Sequence, residues 1–139
     1  AGYAKFKQSC FVVDCGSAIT VDVVDSSGLH KGGYILPGLS LMRKSLSSGT
    51  ERVVFDRVRD IGLKYGETTS ECVQSGIDFV IVSVLEGLRA KMGPQNINRL
   101  IVTGGDASYI ASFCPFVECE PDLVLDGLSI LSKECGEMP

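Results

Sequence analysis

The first forty residues carry a strand-like pattern that later gives way to helical spacing. Residues 9–14, Ser-Cys-Phe-Val-Val-Asp, form a short apolar run ending in an acid, as a buried strand would. From Ile19 to Asp25 the pattern alternates: Ile19, Val21 and Val23 face one way, Thr20, Asp22 and Val24 the other. Ser26-Ser27-Gly28 is a turn signal, and Leu29 to Leu36, with Gly32-Gly33 inside it, reads as a third strand. Three strands joined by tight turns predict an antiparallel meander.

Pro37-Gly38 breaks that strand and opens a helix from Leu39 to about Ser47, with Leu39, Met42 and Leu46 at helical spacing. Ser48 to Gly66 has little periodicity and is expected to be a loop with short elements. Thr68 and Glu71 match a capping box, and a long helix follows with Val73, Ile77, Val80, Ile81, Val84 and Leu88 on one face. Gly93-Pro94 ends it. Arg99–Thr103 is a further strand, Ala107–Phe113 a short helix and Phe116–Cys119 a last strand. Pro121-Asp122 opens a final helix to about Lys133, with Val124, Leu125, Leu128 and Leu131 as its apolar face. The order is β-β-β-α-α-β-α-β-α, and Ala1 to Gln8 reads as the tail of a helix.

A chain of 139 residues fits one domain and is long enough to bury a sizeable core. With 13 basic and 17 acidic residues the net charge is −4, and no Lys/Arg run or aromatic platform marks a nucleic-acid binder. The longest mainly apolar stretch, Ile77–Leu88, is interrupted by Asp78, Ser83 and Glu86, so no membrane span is expected; Ala1 to Gln8 carries two lysines with no apolar h-region after them, so no signal peptide is expected. The six cysteines, Cys10, Cys15, Cys72, Cys114, Cys119 and Cys135, contain no C-x-x-C pair. Cys10, Cys15, Cys72 and Cys114 sit in apolar surroundings and are expected to be buried, reduced thiols, as in a cytoplasmic protein.

Two junctions carry candidate chemistry. In Asp14-Cys15-Gly16-Ser17, small residues expose backbone N–H groups to phosphate oxygens, Ser17 adds a hydroxyl, and Asp14 suits a cation or a water; a plain hairpin turn is the competing reading. In Thr103-Gly104-Gly105-Asp106, glycines between a strand and a helix allow a ligand close approach; the alternative is a turn that needs glycine geometry. Two such junctions on one domain favour a nucleotide at the carboxyl ends of the strands. Gly32-Gly33 is read as a bulge, the alternative being a place where a substrate lies on the strand, and His30 as a solvated surface residue. Thr69 flanks the helix cap, where a hydroxyl can also serve a substrate. Arg52, Arg57 and Arg59 are read as a solvated face.

Residues 12–22, Val-Val-Asp-Cys-Gly-Ser-Ala-Ile-Thr-Val-Asp, resemble the D-x-G-T-A-x-T-x-D phosphate motif of type III pantothenate kinases. Residues 32–38 are similar to that family's G-G-x-I-x-P-G, and Gly66-Glu67-Thr68-Thr69 to its G-x-[NS]-T with Thr68 departing at the third place. Thr103-Gly104-Gly105 is similar to its T-G-G, and residues 121–128 to its P-D-L-x-L-x-G-L. The five motifs occur in family order across nearly the whole chain.

The resemblance implies an α/β fold of the actin-like, ribonuclease-H-like ATPase (ASKHA) superfamily. Its mixed sheet has three antiparallel strands first and helices on both faces. It implies ATP-dependent phosphorylation of pantothenate, the first step of coenzyme A biosynthesis, by a cytoplasmic homodimer. The cofactors are ATP with Mg2+ and a monovalent cation, K+ or NH4+. Asp14 is then the monovalent-cation ligand, and Gly16, Ser17, Gly104 and Gly105 meet ATP. Thr69, Gly32 and Gly33 meet pantothenate. The family's D-x-G-N-T loop and the G-x-D-R segment with the catalytic Asp do not occur here. Residues 1–139 are therefore expected to be the second, C-terminal domain of a two-domain kinase, inactive alone. The competing expectations are a non-catalytic accessory or regulatory relative and a kinase of the same superfamily for another acceptor.

Overall fold

The computed structural model describes residues 1–49 and 63–136. The expected loop from Ser48 to Gly66 and its arginines, Arg52, Arg57 and Arg59, therefore lie largely outside the described residues. The elements are α1 (Gly2–Phe6), β1 (Cys10–Cys15), β2 (Ala18–Val24), β3 (His30–Pro37), α2 (Leu39–Gly49), α3 (Thr69–Met92), β4 (Arg99–Thr103), α4 (Ala107–Ala111), β5 (Glu118–Cys119) and α5 (Leu123–Gly136).

The five strands form one sheet in the order β3-β2-β1-β4-β5. β1 pairs antiparallel with β2, with Asp14 opposite Thr20, and β2 antiparallel with β3. β4 runs parallel to β1, with Asp14 opposite Thr103, and β5 is parallel to β4. A three-stranded meander extended by parallel strands is the actin-like, ribonuclease-H-type arrangement that the motifs imply. The parallel pair needs a crossover, and α2 and α3 lie in that connection.

Strand alternation assigns β1 to two layers. Phe11, Val13 and Cys15 point to one face, where they form the main core with Ile19, Val21, Leu100, Val102 and the Ile77, Ile81, Leu85 and Leu88 stripe of α3. Cys10 and Ile101 point to the other face and bury Leu123, with Phe6, Val12 and Val24 beside them. Helices thus lie on both faces, as expected. Thr68 Oγ1 accepts from the Glu71 amide at 3.3 Å, and the Glu71 carboxylate accepts from the Thr68 amide at 3.1 Å, so the capping box forms. The Glu67 amide, which donates to the Glu71 carboxylate at 2.9 Å, and the Thr68 amide hold that carboxyl below its usual range.

The helix faces depart from expectation in three places. Val80 is exposed, because the buried stripe of α3 runs through Leu85 and turns Val80 toward a groove beside α2. Cys72 is also exposed, and its thiol donates to the Gly66 carbonyl at 3.2 Å. Among the described side chains of α5 only Leu123 is buried; Val124, Leu125, Leu128 and Leu131 are all exposed. The start of α5 is held by the buried Leu123, with surface ion pairs beside it: Lys5 of α1 bonds Glu120 at 2.7 Å and Asp126 at 3.1 Å. The last strand is Glu118–Cys119 alone, shorter than expected, and α4 ends at Ala111.

Candidate functional site

The open end of the second sheet face gathers the polar residues. Asp14 of β1, Thr20 and Asp22 of β2 and Thr103 of β4 share the cavity, about 300 Å³, that α1 and α5 wall with Tyr3 and Leu123. The strand alternation that points Phe11 and Val13 into the core points Asp14 out of it, and the same rule turns Thr20 and Asp22 outward. Thr20 and Asp22 belong to the resembling motif but were assigned no role. Their signal was the polar half of the alternation in β2.

The two glycine-bearing junctions meet at this end of the sheet. Gly104 has φ +91°. An added Cβ there would overlap Asp14 Oδ1 and stand 2.7 Å from the Cys15 carbonyl, so only glycine lets the β4 loop close on the β1 turn. The Asp106 amide donates to the Cys15 carbonyl at 3.0 Å and locks that contact. On the other side, the Gly38 amide donates to the Ser17 carbonyl at 3.2 Å. The Gly16–Ser17 turn is therefore held between the start of α2 and the loop before α4. Ser17 and Gly105 are exposed, and Gly16 and Gly104 half-buried. Burial pushes the adjacent Cys15 thiol up to about 12, so it is an inert packing group.

Gly32-Gly33 is the expected bulge. The register of β3 against β2 shifts between Asp22 and Val24, Gly32 has φ +105°, and a Cβ on Gly33 would overlap the Val21 carbonyl. Gly33 also lines a shallow 260 Å³ cavity with Thr20, Asp22 and Ile35, next to the first one. His30 is exposed on its rim, its Nε2 2.8 Å from Asp22 Oδ1.

Thr69 stands apart. It opens α3, the helix that covers the opposite sheet face, and lines an apolar groove of about 520 Å³ with Met42, Leu46, Cys72, Val73 and Val80. Within this chain it does not share the Asp14 cavity. The five described cysteines, Cys10, Cys15, Cys72, Cys114 and Cys119, are free thiols. No described helix is long and apolar enough to cross a membrane.

The sequence model of type III pantothenate kinases matches residues 1–91. The chain belongs to the type III pantothenate kinase family. Curated members of that family from Marinobacter nauticus and Alcanivorax borkumensis are 36% and 41% identical to it. The first alignment spans 133 residues, 96% of this chain and 55% of the relative; the second spans 134 residues, 91% and 52%. The chain thus spans about half the length of these kinases. Among solved structures, a conserved Campylobacter jejuni protein described as a Baf family transcriptional activator superposes with a TM-score of 0.76 at 24% identity. That superposition covers 98% of this chain and 62% of the other, and shows a shared fold.

Proposed function

We propose that this chain is the C-terminal domain of a two-domain kinase that transfers the γ-phosphate of ATP to pantothenate, the first step of coenzyme A biosynthesis. One observation carries this reading: the Gly104 loop closes directly on the Asp14–Ser17 turn at the carboxyl ends of parallel strands. The Ser17 amide and hydroxyl then meet phosphate oxygens beside Gly16, whose own amide is bonded to the Ala18 carbonyl at 3.0 Å, while Gly104 and Gly105 let the adenosine end approach the backbone. Gly32, Gly33 and Thr69 serve pantothenate.

The chemistry of the lining fits hard cations, since Asp14, Asp22 and Thr20 offer only oxygen. Among the described residues no group of three or more His, Cys, Asp or Glu gathers around one point. In this reading a monovalent cation, K+ or NH4+, would take Asp14 as its protein ligand, and Mg2+ would arrive with ATP. Bound there, the cations neutralise phosphate charge; the residues of this chain bind and orient the nucleotide.

Thr69 reaches the reaction only if its groove faces another copy, so the working kinase is a homodimer through the α2–α3 face. The exposed Leu41, Leu46, Phe79 and Val80 support that choice. The enzyme acts in the cytoplasm, in keeping with its free thiols.

The test is ATP-dependent phosphorylation of pantothenate with potassium and magnesium. It compares this chain with the same chain extended N-terminally through the half that the relatives possess. The expected outcome is silence from the chain alone and turnover on extension, because phosphoryl transfer needs contacts from both sides of the phosphates. Turnover by the chain alone overturns the assignment of the base to the other half. Silence from both overturns the pantothenate reading.

A further inference from the structure

The core contains a polar chain that the site does not use. Asp78 of α3 is 0% exposed and Gln74, one turn before it, 3%. Gln74 Nε2 donates to Asp78 Oδ1 at 2.9 Å, and the Tyr109 hydroxyl of α4 donates to Asp78 Oδ2 at 2.9 Å. Arg43 of α2 donates from Nη2 to Gln74 Oε1 at 2.5 Å. Each carboxylate oxygen thus has a donor, one from α3 and one from α4, and Arg43 extends the network to α2. A buried carboxylate is costly without such partners, and an apolar residue would fill the same space more cheaply. What the polar chain adds is direction: hydrogen bonds fix angle and register, which apolar contact leaves free.

Both ends of this chain lead to the junctions described above. Arg43 lies on α2, whose first residues follow Gly38, bonded to Ser17. Tyr109 lies on α4, directly after the Gly104–Asp106 loop bonded to Cys15. The two loops touch the β1 turn from opposite sides, and the helices behind them are joined at Asp78, with a second, longer bond from Gln74 Nε2 to the Tyr109 hydroxyl at 3.3 Å beside it. We propose that Asp78 is a positioning residue: through Gln74–Arg43 and through Tyr109 it sets the Gly38–Ser17 junction and the Gly104–Asp106 loop relative to each other. Insofar as those loops hold ATP, a point that rests on the reading above, Asp78 sets the width of the nucleotide cradle without touching it.

The test reads each end of the network from the other. Tyr109→Phe keeps the ring and its edge contact with Phe113 but removes the hydroxyl donor. Arg43→Met keeps the stem and removes the guanidinium. In amide NMR spectra of the chain, Tyr109→Phe is expected to shift Gly38 and Leu39, on the α2 side. Arg43→Met is expected to shift Gly104, Gly105 and Asp106, on the α4 side. Leu128→Ala, on the exposed side of α5, is the control and leaves both sets in place. Shifts confined to the near end of each substitution overturn the proposal, because a purely structural contact perturbs only its own surroundings. In the extended kinase both variants are expected to raise KM for ATP several-fold with KM for pantothenate unchanged; equal changes in both constants count against the proposal. An inactive extended kinase with reciprocal amide shifts overturns the ATP reading alone and leaves the coupling established.

Discussion

Strand β1 sends Phe11, Val13 and Cys15 to one face of the sheet and Val12 and Asp14 to the other, and the two faces are finished differently. The first is sealed along its length by α3, with Ile77, Ile81, Leu85 and Leu88 buried against it. The second is sealed only where Leu123 meets Cys10 and Ile101; beyond that it opens into a cavity lined by Asp14, Thr20, Asp22 and Thr103. One strand thus serves two ends. Residues that hold the fold and residues that line the open cavity alternate along it, and stability and binding should separate by parity of position.

The largest expected effect lies on the sealed face. Leu85→Ala empties a fully buried site and should cost about 2–5 kcal/mol in urea unfolding, with the cost set by how far the site collapses. A loss well under 1 kcal/mol would show that α3 is not the main seal. Next comes the end of that helix: Thr68→Ala removes the cap and should cost about 1 kcal/mol by the same measurement.

A third expectation concerns Asp78, whose carboxyl burial pushes above its ordinary range against the opposing pull of the Tyr109 and Gln74 donors and the Arg43 charge. Its folded pKa is raised, so between the unfolded value, about 4, and the folded one the native state binds more protons than the unfolded chain. Stability from this group is therefore present at low pH and is lost as pH rises through that window. Asp78→Asn removes the component, and the stability of the parent relative to the variant should fall from pH 4 upward. A constant difference across the range would mean that Asp78 titrates as it does in the unfolded chain.

The smallest effect on stability is expected on the open face. Asp14→Asn and Ser17→Ala should change the unfolding free energy by no more than about 0.5 kcal/mol, as for ordinary surface substitutions, yet abolish potassium-dependent turnover in the extended kinase. A large loss of stability in either variant would break the division between the faces.

The strands and both junctions were legible because period-two alternation and glycine-bearing turns are local signals. β1 to β4 lie within a residue or two of the positions read from the pattern, and the Thr68–Glu71 box forms as written. What a helical period cannot state is whether anything covers the face. The leucines of α5 carry the same spacing as a core helix, yet Leu125 and Leu128 are 60% and 59% exposed. The polar chain through Asp78 was hidden for the opposite reason. In one dimension it reads as a charge interrupting an apolar stretch, since its partners Arg43 and Tyr109 come from other elements. Thr69 sits on its predicted element, but only the three-dimensional arrangement separates it from Asp14.

The parallel pairing of β1 with β4 has a kinetic consequence. Ser9 and Asn98, joined by a hydrogen bond across this pair, are 89 positions apart, whereas the meander closes through turns of a few residues. Loop closure makes such distant pairings slow, so the meander is expected to assemble early and β4 to dock late. The contact between Gly104 and Asp14 forms only with that docking. The cradle is accordingly the last part of the domain to come into being during folding, and a ligand that bridges it would act as a latch on the finished fold.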